Sequence, residues 1–152
     1  MRAMNPNQAK LLIADDCESM REVTRDLMQG LGFARVDAAA DGQVALALFR
    51  SNHYDLVISD WNMPFLTGIE LLQRIRLGPF RNETPVLITS GHVTPERTNE
   101  AFNAGATGFF GKPFATARLC EKVLRLVGSL NPVSDCVHAP HEERILQLVR
   151  SS

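Results

Sequence analysis

Leu56-Val57-Ile58-Ser59-Asp60-Trp61-Asn62-Met63-Pro64 is the stretch on which the fold turns. Its first four residues are too few for a helix and show no alternation of polar and apolar positions, so they read as a strand buried on both faces. The run meets a carboxylate at Asp60 and then a turn closed by Pro64. Runs of the same kind stand on either side of it, at Leu11 to Ala14, Ala34 to Ala38, Val86 to Thr89 and Gly108 to Phe110. Longer amphipathic stretches separate them. Ser19 followed by Glu22 forms a capping box, with Met20, Val23, Leu27 and Met28 as the inner stripe up to Gly30. Asp41 caps a second helix whose inner face is Val44, Ala45, Leu48 and Phe49. A third runs from Gly68 to Leu77 on Ile69, Leu72 and Ile75, until Gly78-Pro79 stops it. Thr94-Pro95 opens a fourth that Gly105 closes, and Thr116 to Leu130 makes a fifth on Leu119, Val123, Leu126 and Val127.

Five strand-helix units predict an α/β, doubly wound, five-stranded parallel sheet with helices on both faces, flavodoxin-like in strand order 2-1-3-4-5. Bulk properties agree with one globular domain and a short appendage. The 152 residues are 45% hydrophobic and 22% charged, which suits a packed core. Sixteen basic residues against 17 acidic give a net charge of -1, no electrostatic footprint for nucleic acid or a membrane surface. No apolar run approaches the ~20 residues that span a bilayer. Met1 to Lys10 is polar, contains Pro6 and has no apolar stretch resembling a secretion signal, so the cytoplasm is the expected compartment. Cys17, Cys120 and Cys136 are odd in number and scattered, which predicts three reduced thiols rather than a disulfide or metal framework.

In doubly wound sheets, sites form outside the carboxyl ends of the strands. Strand one ends in Asp15-Asp16, strand three in Asp60, strand four near Ser90-Gly91, and strand five is followed by Lys112-Pro113. Three carboxylates at one edge repel one another unless a cation neutralises them. An all-oxygen set with few protein ligands suits Mg2+ better than Ca2+. Lys112 adds a compact positive charge, Ser90 a hydroxyl, and Gly91 leaves room for a group bearing oxygens. Two cationic centres, a hydroxyl and an acidic nucleophile describe a phosphoryl pocket, and carboxylates serve as nucleophiles in aspartyl-phosphate chemistry. Taken singly, each feature has a plainer reading: an Asp pair caps a turn, and Lys-Pro is a solvated turn. The weight lies in the combination across four strand ends.

From about Lys10 to Leu130 the chain resembles the receiver domains of two-component response regulators, of the CheY-like kind. The resemblance is carried by Val57-Ile58-Ser59-Asp60-Trp61-Asn62-Met63-Pro64, Asp15-Asp16, Met20-Arg21, Ala40-Asp41-Gly42, Pro85-Val86-Leu87 and Lys112-Pro113-Phe114. It implies that Asp60 is the phosphoacceptor, that Asp16 and Asp60 bind Mg2+ directly with the backbone carbonyl of Asn62, and that Asp15 acts mainly through water. It also implies that Lys112 pairs with the acceptor, that Ser90 is the switch hydroxyl, and that Phe109 is the switch aromatic. Phe109 stands where CheY-like regulators have tyrosine, so readout through a ring hydroxyl is lost. His92 stands where they have an acid; with Asn62 it flanks the path of attacking water and bears on dephosphorylation, although a solvent-exposed loop residue is an equal reading.

The implied function is a single-domain response regulator that takes a phosphoryl group from a sensor histidine kinase or a histidine phosphotransfer protein. Its downstream protein target would meet the face of helix 4, strand 5 and helix 5, with no nucleic acid or membrane partner, and its own phosphorylation and dephosphorylation would be the only reactions it catalyses. The alternatives are a non-phosphorylated pseudo-receiver scaffold and a phosphorelay or phosphate-sink intermediate. An aspartyl-phosphate phosphatase wants a second acid at the position of Asn62, and a flavin phosphate would be repelled by Asp15-Asp16. Residues 1–9 form an N-terminal segment, 10–130 the receiver domain and 131–152 a tail. In the tail, His141 to Arg150 reads as a short helix with Glu142 and Glu143 at its start and Ile145, Leu148 and Val149 as its stripe. Packing on its own domain is the favoured role of the tail, and dimerisation the other.

Overall fold

The computed structural model describes residues 6–79, 81–112 and 116–128. Five strand-helix units alternate through them: β1 (Lys10–Ala14), α1 (Glu18–Gly30), β2 (Arg35–Ala39), α2 (Gly42–Ser51), β3 (Leu56–Asp60), α3 (Gly68–Leu77), β4 (Val86–Ser90), α4 (Pro95–Asn103), β5 (Gly108–Gly111) and α5 (Thr116–Gly128). The strands form one parallel sheet in the order β2-β1-β3-β4-β5, the expected flavodoxin-like arrangement. Strand periodicity divides the core in two. Leu11 and Ile13 of β1, Ile58 of β3 and Leu87 of β4 pack with Met28 of α1 and with Leu119, Cys120 and Val123 of α5. Their neighbours Leu12, Val57, Val86 and Ile88 face the other way, onto Phe49 of α2, Leu72 and Ile75 of α3 and Ala101 of α4. Every residue of β3 and β4 is buried, as continuous apolar runs require.

The helix starts show where local chemistry competes. Asp41 and Thr94 cap α2 and α4 as expected, accepting the N–H groups of Val44 and Arg97 at 2.8 and 3.1 Å, and Pro95 opens α4. The capping box expected at Ser19 and Glu22 does not form. Helix α1 begins at Glu18 after Cys17, which makes no side-chain cap bond. The cause lies upstream: the carboxylate of Asp15 takes the Cys17 N–H at 2.9 Å, and this turn starts the helix early and leaves Ser19 inside it. A capping box does form at α3, where Thr67 and Glu70 exchange bonds of 3.1 and 2.9 Å.

On α2 the expected inner face rotates. Val44 is 45% exposed, while Gly42, Ala45, Leu46 and Phe49 are buried and Leu48 is partly so. Gly42 sets this rotation: a Cβ there would lie 2.0 Å from the carbonyl oxygen of Leu66, so the helix rides against the loop before α3 at that point. The fourth helix stops at Asn103, and Gly105 follows with φ +103°, the left-handed turn that favours glycine. Leu130, Pro113 and Phe114, Cys136 and the tail helix expected at His141 to Arg150 lie outside the described residues.

Register brings the strand ends to one edge. Ala14 pairs with Ser59, Asp60 with Thr89, and Ser90 with Gly111. The residues that follow β1 and β5, and those that end β3 and β4, therefore share the carboxyl edge of the sheet.

Candidate functional site

Asp15 and Asp16 leave β1 at that edge, Asp60 is the last residue of β3, and Lys112 follows β5. Carboxylate oxygens of Asp15, Asp16 and Asp60 all lie within 4.8 Å of one another, with Asp15 and Asp60 buried and Asp16 exposed. The Lys112 ammonium sits between two of them, 2.9 Å from Asp15 Oδ2 and 3.1 Å from Asp60 Oδ1. The residues alone set this lysine opposite the acids together and the family resemblance implied its pairing with Asp60; the shorter contact is to Asp15.

Backbone contacts fix this cluster. Asp15 Oδ1 holds the Cys17 N–H, its main-chain oxygen accepts from Arg21 Nη1 at 2.8 Å, and its own N–H donates to Ala39 O at 3.1 Å. Behind Asp60, a Cβ on Gly68 would stand 2.1 Å from the Asp60 carbonyl oxygen, and the Gly68 N–H donates to Trp61 O at 2.8 Å. The start of α3 thus presses on the turn that aims Asp60. The Lys112 N–H donates to Ser90 O at 2.7 Å, which ties the lysine to the end of β4.

Electrostatics at the edge follow from burial and crowding. Burial pushes the Asp60 carboxyl above the ordinary carboxylate range; Lys112 pulls it down, and Asp15 and Asp16 add to the rise. For Lys112, burial disfavours the charge, but the bond to Asp15 and the attraction of Asp15 and Asp60 outweigh it, so its pKa is raised and the ammonium persists at neutral pH. Carboxylate oxygens of three acids this close together make an all-oxygen donor set whose chemistry fits a hard cation.

The other expected site residues lie close by in different states. Ser90 is completely buried. Its hydroxyl faces α4 rather than the acids, bonded to the backbone of His92 and to Arg97 Nη1 at 3.0 Å. His92 and Asn62 are exposed in the loops after β4 and β3. Phe109 is half-buried in β5, its ring edge-on to Trp61 with centroids 5.8 Å apart. Arg97 is the residue that sequence reasoning missed. It bonds Ser90, and its guanidinium carbon lies 4.5 Å from the Trp61 ring centroid. Only its place in the first turn of α4 marks it in the sequence.

A doubly wound sheet with this strand order and this edge defines a class, and comparison with known proteins identifies it. The chain belongs to the response regulator receiver domain family, whose model matches residues 11–124. Within that family it is similar to chemotaxis protein CheY-3 of Vibrio cholerae, 38% identical over 81% of this chain and 95% of the relative. Chemotaxis protein CheY of Pseudomonas aeruginosa is 36% identical over 80% of this chain and 98% of its own. Among solved structures, chemotaxis response regulator CheY4 of Vibrio cholerae superposes with a TM-score of 0.72 at 36% identity, covering 78% of this chain and 98% of that one.

Proposed function

We propose that this receiver accepts a phosphoryl group on Asp60 from a sensor histidine kinase or a histidine phosphotransfer protein, and passes the signal on by changing its protein contacts. The observation that carries the reading is the acid cluster within 4.8 Å, with Lys112 bridging Asp15 and Asp60. In the transfer, an Asp60 carboxylate oxygen attacks phosphorus in line. A P–O bond forms as the P–N bond of the donor phosphohistidine breaks, and the imidazole leaves with the electron pair. Lys112 follows the charge from the carboxylate to the equatorial phosphoryl oxygens, and because both it and Asp60 are already in place, little reorganisation is required. Asp16, Asp60 and the backbone carbonyl of Asn62 would hold Mg2+ directly and Asp15 through water. When bound, that ion neutralises the carboxylates and the developing charge. Hydrolysis of the acyl phosphate in the same pocket resets the domain, with Asn62 and His92 flanking the water's path and setting the rate.

The phosphoryl group offers Ser90 a charged acceptor in place of the His92 carbonyl oxygen, and the space Ser90 vacates admits the Phe109 ring. The surface affected is that of α4, β5 and α5. Val93, 59% exposed, lies against Gly111 at the end of β5, and Phe102 on α4 is 48% exposed; this apolar surface suits a protein partner. The names of the relatives point the output toward chemotaxis. No described helix is long and apolar enough to cross a membrane, and the proposed compartment is the cytoplasm.

A small-molecule phosphodonor with Mg2+ tests the acceptor. The wild-type chain should take up label and Asp60→Asn should take up none. Labelling that survives in Asp60→Asn would remove Asp60 from its role, and an unlabelled wild type would favour a scaffold that never takes phosphate.

A further inference from the structure

A serine hydroxyl has one proton to give and two lone pairs to receive with, and at Ser90 all three are engaged. Ser90 Oγ donates to the carbonyl oxygen of His92 at 3.0 Å, and the His92 N–H donates back at 3.1 Å. Arg97 Nη1 supplies the third bond at 3.0 Å. The same guanidinium lies over the ring of Trp61, the residue next to Asp60, and that ring meets Phe109 edge-on. The Arg97 backbone is itself fixed, because its N–H is held by the capping hydroxyl of Thr94. One side chain therefore connects the first turn of α4, the hydroxyl that ends β4 and the ring that follows β3.

We propose that Arg97 is a positioning residue, a latch whose guanidinium holds the Ser90 hydroxyl and the Trp61 ring to α4 and weights the unphosphorylated arrangement. The inference rests on the reading of Asp60 as acceptor and Ser90 as the hydroxyl that responds to it. For Ser90 to donate to an oxygen on Asp60, its proton must leave the His92 carbonyl. Its oxygen must also move away from Arg97 toward the acid edge. A guanidinium carries donors only and is anchored by the indole, so it cannot follow. The charge-assisted bond to Ser90 is then lost, and the contact with Trp61 no longer joins α4 to a fixed hydroxyl. Both contacts oppose the switched state, and their release frees the first turn of α4.

The test uses the full chain with Mg2+ and beryllium trifluoride as the phosphoryl mimic. Binding is read by calorimetry and by the emission of Trp61, the chain's one tryptophan. Arg97→Ala should bind the mimic about tenfold more tightly than wild type, the order of effect of one charge-assisted hydrogen bond. Arg97→Lys keeps the charge and a donor but not the planar stack, and should fall between them. In a Ser90→Ala background, Arg97→Ala should change affinity by less than about twofold, since the restrained hydroxyl is gone. A merely structural role would leave the effect of Arg97→Ala the same in both backgrounds. That result, or an Arg97→Ala variant that binds no more tightly than wild type, overturns the latch and leaves the acceptor reading standing. If wild type neither binds the mimic nor takes label on Asp60, the acceptor reading falls and the latch falls with it.

Discussion

Asp60 is 7% exposed, and the ionised carboxyl there is opposed first by burial and then by Asp15 and Asp16, with Lys112 as its offset. Since the folded state raises this pKa, the stability belonging to the neutral form is present at acid pH and is lost as pH rises through the raised value. A neutral isostere keeps that stability at neutral pH. In metal-free buffer at pH 7, Asp60→Asn is therefore expected to melt higher than wild type. Scanning calorimetry of the two proteins checks it, and an unchanged or lower melting temperature counts against the crowding described here. The acids and Lys112 were legible in the sequence because each closes a strand run. Arg97 was not, because its partners Ser90 and Trp61 come from other elements and no spacing rule links a helical arginine to them.

Helix α3 shows the same contrast one level up. Its span could be read from Ile69, Leu72 and Ile75 and from the Gly78-Pro79 stop, because those signals are local. The work of Arg76 could not. From the last turn of α3, its guanidinium donates to Gly105 O at 3.1 and 2.9 Å, to Asn82 O at 2.8 Å and to Thr84 O at 2.7 Å, joining the approach to β4 with the turn before β5. These carbonyls are separated from Arg76 by up to 29 residues, so only the folded chain brings them within reach. Arg76→Ala should cost about 2–4 kcal/mol, because it leaves half-buried carbonyls without a charged donor. Urea denaturation reads this as a lower midpoint at unchanged slope, and a loss under about 0.5 kcal/mol would make the cluster ornamental. The start of α1 misled sequence reading for a related reason: the Asp15 side chain reaches the Cys17 N–H and displaces the more regular Ser19 signal.

Across the whole molecule, the two cores respond to alkali in the same direction. Burial pushes the Cys120 thiol, on the inner face of α5, from its ordinary 9.0 up to about 11, with Glu121 adding to the rise. Burial, together with the bond to Asp37, also raises the Tyr54 phenol on the opposite face. Both groups stay protonated in the folded chain when the unfolded chain would release the proton. Their contribution is complete below pH 9 for Cys120 and is lost as pH climbs through about 11. Denaturation midpoints measured up to that pH should fall less steeply for Cys120→Val than for wild type, and parallel curves would contradict the assignment. The doubly wound architecture was legible because it follows from the alternation of buried runs and amphipathic helices. What the alternation could not supply was the setting of the Ser90 hydroxyl, held by Arg97, because that depends on contacts between units. The central claim is that this edge of the sheet is a berth for a phosphoryl group on one carboxylate. Mass mapping of the chain after reaction with a phosphodonor tests it most directly. The account predicts modification at Asp60 alone, formed with Mg2+ and absent when the metal is chelated; modification on another residue, or the same yield at Asp60 without a divalent ion, would contradict it.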